Sequence, residues 1–393
     1  MKNKLMLKIL FAVLISAALP FAVTAQEEIQ IQRDIAVVGF TKPIPISVSG
    51  FSGEAAQVLN FDLTVQGFKI VNDGSAQFDV AGSDAGSVQG RLADRISKAV
   101  LFSKAYTGGS VRTQAHALAN DIVETLTKRK GIGLTKIAFK VDTGNTSEIY
   151  IADFDGYNPH QVTRDNTIVA APTWVPGRLA LYYVSYKLGK PDIFLHNLTT
   201  GARSAFARHG GSNLSPAVSP DGSKVAMILS KDGWVDLYVC NSDGTGLKRL
   251  TKSPQDESSP CWSPDGQWIL FAGKSGERRV LEKISPNGGE PVRIRTDGVS
   301  SPSEPDWSPD GKWIVFTSQY GSGFNICVVP AAGGGAVALV EGEDPAWSPN
   351  SRTVVFARRT GSGRVLSVLD VFTKQVKDVS RISGSNSQPS WAK

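Results

Sequence analysis

Six copies of one short phrase recur through the C-terminal two-thirds of this chain. Each copy is a proline and a variable residue followed, in five of the six, by a tryptophan. The copies begin at Pro172, Pro216, Pro260, Pro305, Pro345 and Pro389. Successive starts are 44, 44, 45, 40 and 44 residues apart. A period of about 40 to 45 residues with strand-like content is typical of β-propeller blades, so the repeat predicts a propeller of six blades.

Each repeat divides into four short strands. The first strand ends at the tryptophan, and Ser-Pro-Asp-Gly follows as a tight turn. In that turn proline fixes one dihedral angle, aspartate hydrogen-bonds locally and glycine accepts a positive φ. The second strand is an apolar run such as Trp268–Phe271. The third ends in another turn, as in Leu237–Gly244, and the fourth is short. This is the strand content of a propeller blade.

The two ends of the array complement each other. It opens at Lys136–Phe139 with a second strand that has no first strand before it. It stops shortly after Trp391, with a first strand and no second. We therefore expect Ser387–Lys393 to supply the inner strand of the blade that Lys136–Lys140 begins. This pairing would close the ring and remove the open sheet edges.

The N-terminus has the pattern of a secretory signal. Three lysines precede an apolar run from Ile9 to Leu19, and Val23–Ala25 supplies the small residues of a cleavage site. The run is short for a bilayer span, so we expect export with cleavage after Ala25. Of 42 basic residues three lie in this leader, which leaves 39 against 36 acidic residues and a net charge of +3. That balance argues against nucleic acid as a partner.

A region of alternating strands and helices lies between the leader and the propeller. We divide the chain into a signal peptide (1–25), a small α/β N-terminal domain (26–133) and an all-β six-bladed β-propeller closed by the C-terminal strand (134–393). The predicted strands of the α/β domain are Ile35–Phe40, Phe68–Val71, Ser87–Leu92 and Lys98–Tyr106, with the last two as a hairpin. Its predicted helices are Glu54–Leu63 and the amphipathic Ser110–Lys128.

The chain carries few candidates for catalysis or for a cofactor. It has no Gly-x-Ser-x-Gly elbow, no His-Glu-x-x-His, no phosphate-binding loop and only four histidines. The acids of the Ser-Pro-Asp-Gly turns and the repeated tryptophans are explained as turn residues and as wedges between blades. The cysteines Cys240, Cys261 and Cys327 are expected to be small buried hydrophobes. We expect neither a cofactor nor a metal.

The loops before each proline are the best candidates for binding. They join the outer strand of one blade to the inner strand of the next, so all six should emerge on one face around the central channel. Their contents are polar and differ between blades, and binding residues concentrate on loops that a rigid scaffold positions. The candidate partner-binding residues are His209, Asn213, Asp256, Glu257, Ser258, Ser301, Glu304, Asp344, Asn386 and Gln388.

Taken together, these features resemble the TolB family. The similarity rests on the leader, the small α/β domain, the Pro-x-Trp-Ser-Pro-Asp-Gly repeats and the C-terminal Pro-x-Trp. It extends to the junction, at Leu134–Phe139 and Glu148–Asn158, and to Asp94–Phe102 in the α/β domain. The Pro-Asp-Gly repeat alone also occurs in peptidase propellers, whereas the combination is much more specific.

The resemblance implies a periplasmic protein of the Tol-Pal envelope system. That family links an inner-membrane motor complex to Pal, a peptidoglycan-associated lipoprotein of the outer membrane, and supports envelope integrity and cell division. Pal docks on the channel face in the family, which would place the contact on the loops above, with His209 at a family position. Residues Gln26–Arg33 are short for the segment that meets the inner-membrane Tol proteins. We expect a monomer that is peripheral to the outer membrane.

Two other classes of function compete with non-enzymatic docking. One is a secreted propeller enzyme, a lyase or glycosidase, whose active site in the channel would need convergent histidines, carboxylates or a cation. The other is the propeller half of a serine peptidase, which would need an α/β-hydrolase domain and a nucleophile elbow. The sparse histidines and the varied loops favour docking.

Overall fold

The computed structural model describes residues 39–361, 363–379 and 381–393. The predicted signal peptide, its cleavage site and the segment Gln26–Arg33 lie outside the described residues. So does most of the predicted strand Ile35–Phe40; its two described residues, Gly39 and Phe40, are not in a strand. Within the described residues, no helix is long and apolar enough to cross a membrane.

The N-terminal region folds as one mixed sheet with two helices packed together against it. In the part of the chain that is described, the sheet has the order β2-β1-β3-β4-β5. The strands are β1 (Ile44–Ser49), β2 (Phe68–Ile70), β3 (Phe78–Ser83), β4 (Val88–Asp94) and β5 (Val100–Tyr106). The helices are α1 (Gly53–Thr64) and α2 (Val111–Thr127). The predicted helices and hairpin are confirmed.

Strands β1 and β3 are not anticipated by the sequence. Pro43 and Pro45 flank the start of β1, and proline argues against a strand inside a sheet because it cannot donate to the ladder.

The ends of α2 follow the capping rules for helices. The Ser110 hydroxyl accepts from the Thr113 amide at 3.1 Å, and Lys128 ends the helix in the left-handed conformation at φ 59°.

The repeats fold into six four-stranded antiparallel sheets, counted over the described residues, so the predicted six-bladed propeller is confirmed. From inner to outer edge, blade 1 contains β31 (Ser385–Trp391), β6 (Lys136–Asp142), β7 (Ser147–Asp153) and β8 (His160–Gln161), and blade 2 contains β9 (Val169–Trp174), β10 (Ala180–Ser185), β11 (Asp192–Asn197) and β12 (Arg203–Ala207). Blade 3 contains β13 (Asn213–Val218), β14 (Lys224–Leu229), β15 (Asp236–Asn241) and β16 (Lys248–Arg249).

The remaining blades follow the same order. Blade 4 contains β17 (Ser258–Trp262), β18 (Ile269–Ser275), β19 (Arg278–Ile284) and β20 (Val292–Ile294). Blade 5 contains β22 (Pro302–Trp307), β23 (Trp313–Tyr320), β24 (Gly323–Pro330) and β26 (Val337–Glu341), and blade 6 contains β27 (Glu343–Trp347), β28 (Thr353–Thr360), β29 (Gly363–Asp370) and β30 (Val376–Asp378). Short parallel strands β21 (Thr296–Asp297) and β25 (Gly334–Gly335) link blades 4 and 5.

The ring is closed by the C-terminal strand. Strand β31 pairs antiparallel with β6, with Trp391 opposite Ile137 and Ser385 opposite Asp142. The strand thus begins two residues earlier than predicted. The Trp391 ring also stacks on Phe154, with centroids 6.0 Å apart. Closure by the last strand is therefore confirmed.

The residues that recur in each repeat are explained by hydrogen bonds within the turn and by packing between blades. In blade 4 the Ser263 hydroxyl donates to Asp265 at 2.5 Å and accepts from the Trp268 amide at 2.9 Å. These bonds lock the turn and explain its aspartate. The Trp262 indole donates to the carbonyl of Ala217 in the preceding blade at 3.0 Å. The tryptophan is buried, as a wedge between blades should be.

The α/β sheet and helices pack against one end of the propeller, the end at which the inner strands finish. Thr353 Oγ1 donates to the Val65 carbonyl at 3.1 Å, and Arg129 Nη1 donates to the Asn350 carbonyl at 2.9 Å. Val65 and Ile132 share an apolar cluster with strands of blades 1 and 6. We call this the turn end, and the opposite end, where the pre-proline loops lie, the rim end. The exact boundary at 133/134 stays a prediction.

A buried ionic cluster joins the two regions. The Arg112 guanidinium contacts the Asp155 carboxylate, and His116 Nδ1 lies 2.7 Å from Asp62 Oδ2. His116 Nε2 is 3.7 Å from Asp155. Burial raises the pKa of Asp62 against the opposing effects of His116 and Arg112. His116 is thus structural.

Candidate functional site at the rim of the channel

The residue before each of the six repeat prolines has a left-handed backbone. This conformation is uncommon for residues other than glycine, and a following proline restricts its predecessor further. The values of φ are 51° for Ala171, 47° for Ser215, 52° for Ser259, 51° for Glu304, 56° for Asp344 and 49° for Gln388. At each position the ladder between the first and second strands shifts register, as a β-bulge does. We call these six residues the rim.

The sequence predicted three of the rim residues, Glu304, Asp344 and Gln388, as binding residues but gave no sign of their left-handed backbone. Alanine, serine, glutamate, aspartate and glutamine occupy the rim, and none of its members is a glycine or asparagine, the usual signals of a positive φ. The available signal is positional, because the residue always precedes the repeat proline. Strained backbone of this kind persists where the surroundings hold it, and it concentrates at binding sites and clamps.

Three rim side chains form a relay that crosses from blade to blade. Glu304 Oε2 accepts from the Asp344 amide at 3.1 Å. Asp344 Oδ2 accepts from the Gln388 amide at 3.0 Å, and Gln388 Oε1 accepts from the Ala171 amide at 2.9 Å. Blades 5, 6, 1 and 2 are thereby tied together at the channel mouth. The three predicted site residues Glu304, Asp344 and Gln388 are brought together by this relay.

The relay concentrates negative charge at the rim. Glu304 also accepts from the Thr317 hydroxyl at 2.6 Å. Burial, followed by the charge of Glu304, raises the pKa of Asp344 to about 7, and donation from Gln388 partly offsets the shift. Glu343 is paired with Arg364 close by. A cationic or hydrogen-bond-donating group would complement this part of the rim.

Two predicted site residues lie inside their loops. Asn213 is fully buried, and its amide donates to the carbonyls of His209 at 3.1 Å and Gly211 at 3.4 Å. Asn386 is equally buried and donates to the carbonyls of Ile382 and Gly384 at 3.3 and 3.0 Å. Both amides hold their loops in shape. Contact of these two residues with a partner stays a prediction.

His209 lies at the edge of the first of these loops. It is half-buried, and its amide donates to Asn213 Oδ1 at 2.9 Å. Burial, with help from Lys231 and Lys190, lowers the pKa of the imidazole. A neutral imidazole at neutral pH can both donate and accept a hydrogen bond.

The blade 4 loop separates its predicted residues by exposure. Asp256 is exposed, whereas Glu257 is buried and accepts from the Thr251 hydroxyl at 2.9 Å. Burial raises the pKa of Glu257 to about 7 despite that bond. Ser258 is half-buried at the start of β17, and Ser301 is half-buried with φ 47°. Asp256 is therefore the acid of this loop that a partner can reach.

The channel toward the turn end holds a cavity of about 450 Å³. Prolines and tryptophans of the repeats line it, together with Cys261, Asp306 and Lys393. The Lys393 ammonium donates to both oxygens of Asp306 at 2.9 and 2.8 Å. All three cysteines are free thiols, and Cys240 and Cys327 are buried as expected. Among the described residues no cluster of histidine, cysteine and acidic side chains suits a metal ion.

The architecture places the chain in a definite class. It is an α/β domain seated on the turn end of a six-bladed propeller of Pro-x-Trp repeats, with a polar rim at the other end. A family model described as the TolB beta propeller domain matches residues 123–393. The chain belongs to the TolB family, as the sequence motifs indicated.

Curated relatives and solved structures agree with this assignment. The chain is 30% identical over 295 residues to the Tol-Pal system protein TolB of Bordetella pertussis, which covers 66% of this chain and 67% of the relative. It is 33% identical to the protein TolB homolog of Chlorobium chlorochromatii over 47% of this chain and 42% of the relative. The crystal structure of TolB from Acinetobacter baumannii superposes with a TM-score of 0.81, covering 91% and 98% of the two chains. At 22% identity that likeness shows the fold alone. The chain is thus a propeller protein of the Tol-Pal type.

Proposed function

We propose that this protein is a non-enzymatic periplasmic docking protein whose rim binds a peptidoglycan-associated lipoprotein. Through this contact it supports envelope integrity and cell division. Export by the predicted signal, with cleavage after Ala25, brings it to the periplasm. A second contact, with inner-membrane Tol proteins, uses the N-terminal segment or the α/β domain.

The observation that carries the proposal is that the α/β domain covers one end of the propeller, while the other end carries an ordered polar rim. The α/β domain occupies the turn end through contacts such as Thr353 to Val65. The rim end carries the left-handed residues and the relay from Glu304 to Gln388, held rigid before a partner arrives. Preorganised polar groups lose little entropy on binding, which favours specific recognition.

Calorimetry with purified proteins tests the proposal. The mature chain, residues 26–393, is titrated with the lipid-free peptidoglycan-binding lipoprotein of the same organism. We expect Asp256→Lys to weaken binding by about tenfold, because reversing an exposed charge in a pre-proline loop disturbs the electrostatic match with the partner. Glu304→Gln keeps an acceptor for the Asp344 amide and should also weaken binding through loss of charge.

Glu290→Lys provides the matched control, since Glu290 is an exposed acid in the turn between β19 and β20 at the turn end. The Glu290→Lys variant should bind the lipoprotein with the same affinity as the unmodified chain. Equal weakening by Glu290→Lys and Asp256→Lys would place the interface elsewhere. A folded chain that does not bind the lipoprotein would contradict the docking role and favour the alternative of a secreted propeller enzyme.

A further inference from the structure

A second set of loops lies at the rim end, outside the rim itself. They are the hairpins between the second and third strands of blades 2 to 6, at residues 186–191, 230–235, 274–279, 319–324 and 358–361. The second strand runs antiparallel to the first, so these hairpins lie beside the pre-proline loops. The Glu257 amide donates to the Val235 carbonyl at 3.1 Å, and the Gly342 amide to the Phe324 carbonyl at 2.9 Å. We call these five loops the hairpin crown.

Large apolar side chains stand exposed on the crown and next to it. Leu188 is 47% exposed, Trp234 50% and Tyr320 78%. Ile168 is 46% exposed and lies in the loop before β9, where its carbonyl accepts from the Tyr186 amide. These residues sit in blades 2, 3 and 5, on one end of the molecule. Tryptophan and tyrosine with an apolar body and a polar tip favour the interface between water and lipid.

Cations without an acidic partner accompany them. Among the described residues, ion pairs tie Lys187, Lys190 and Lys231 to nearby aspartates. A second group of crown cations makes no ion pair with a described residue: Lys274, Arg278, Arg279 and Arg359. All four side chains are exposed. The Arg359 guanidinium carbon also lies over the Phe324 ring, 5.6 Å from the ring centroid.

Blade 4 holds the clearest sign that this charge is not merely a solvated surface. Lys274 and Arg279 are direct cross-strand partners in the β18–β19 ladder, and Arg278 is adjacent. Like charges directly opposite each other destabilise a hairpin. An anionic surface lying against the hairpin would remove that repulsion. The five crown hairpins hold eight cations against two acids, Asp232 and Glu277, whereas the turns at the other end mix cations such as Arg178 and Lys312 with the acids Asp221, Asp243, Asp265 and Asp310.

We propose that the hairpin crown binds the anionic phospholipid surface of a membrane. The aromatic and aliphatic tips enter the headgroup region while the cations meet lipid phosphates, and each cation near such a surface adds to the attraction. The crown surrounds the rim, so a membrane and the lipoprotein would occupy the same end of the propeller. Membrane binding does not require the lipoprotein and is tested without it.

Vesicle sedimentation tests this with the purified mature chain. The probes are vesicles of phosphatidylcholine and vesicles of phosphatidylcholine mixed with phosphatidylglycerol. We expect the chain to sediment with the mixed vesicles only, and high salt to release it. Arg278→Gln with Arg279→Gln should weaken partitioning by about 25-fold, roughly fivefold per cation. Trp234→Ser with Tyr320→Ser should weaken it as well.

Matched controls come from the turn end. Arg178→Gln with Lys312→Gln removes two exposed cations there, and Leu179→Ser removes an exposed apolar residue (60%). Both controls should sediment like the unmodified chain, and melting curves should coincide for all variants. No sedimentation with mixed vesicles, or equal loss in the controls, would overturn the proposal. Binding to heparin without binding to vesicles would assign the crown to a soluble polyanion instead, and would also overturn it.

Discussion

The backbone amide of Gln388 donates to Oδ2 of Asp344 at 3.0 Å. This bond joins the inner strand that closes the ring to the blade before it. Because the ladder shifts register at these positions, the side chain of one rim residue serves the amide of the next. The fold therefore holds the Asp344 carboxyl group at a position where burial disfavours its ionised form.

The first prediction concerns the pH dependence that follows from Asp344. Burial raises its pKa from the ordinary value of 3.8 to about 7. Between these values the folded protein holds a proton that the unfolded chain has released, so this group favours folding as the pH falls from 7 toward 4. Above pH 7 the ionised, half-buried carboxylate destabilises the fold.

Asp344→Asn removes this titration and keeps an oxygen for the Gln388 amide. Asparagine also tolerates the left-handed backbone. We expect the variant to be more stable at pH 8 by about 1 to 2 kcal/mol, with the difference vanishing near pH 4. Urea unfolding across this pH range measures it, and parallel pH profiles for the two proteins would contradict the assignment.

The second prediction concerns the ionic cluster between the α/β domain and blade 1. Asp155→Asn leaves the buried Arg112 without its main counter-charge, which should cost about 3 to 5 kcal/mol of unfolding free energy. Asp153→Asn is the control, because Asp153 pairs with the exposed Lys136 at 2.7 Å and should cost less than about 1 kcal/mol. Equal, small losses of unfolding free energy in both variants would show that the buried pair stabilises the fold no more than the exposed pair does.

The propeller could be predicted because its signals are local. Proline, aspartate and glycine set each turn through their own dihedral angles and hydrogen bonds, as in the Ser263 to Asp265 bond. The wedge role of tryptophan follows equally from the residue itself. Closure by β31 could be inferred because a missing inner strand at one end of the array matched a spare one at the other.

The relay between rim residues and the ionic cluster could not be predicted, since both depend on residues far apart in the chain. Asp155 lies in a turn motif that explains an aspartate without Arg112. Asn213 lies in a polar loop that suggests exposure, whereas the fold turns it inward. The candidate loops were found as a group, but composition could not separate the exposed Asp256 from the buried Glu257 beside it.

The third prediction separates loop-forming residues from residues that meet a partner. Asn213→Ala removes several hydrogen bonds of a buried amide and should cost about 1 to 3 kcal/mol of stability. Asp256→Ala changes an exposed residue and should stay within about 0.5 kcal/mol. Thermal melts of both variants measure this. An unshifted melt for Asn213→Ala would contradict its role in loop geometry and favour its predicted role as a contact residue.

The last prediction concerns the closing strand. Trp391 stacks on Phe154 and its indole donates to the Thr135 hydroxyl at 2.8 Å, so Trp391→Ala should cost about 3 to 5 kcal/mol. Deleting Ser387–Lys393 removes most of the inner strand of blade 1 and exposes the edge of β6. We expect this truncation to lower the melting temperature of the whole propeller rather than of one blade, because every blade relies on the closed ring. Lys393→Ala, which loses only the contact with Asp306, is the control and should melt nearly unchanged. A truncated chain that melts like the control would show that the ring does not depend on β31.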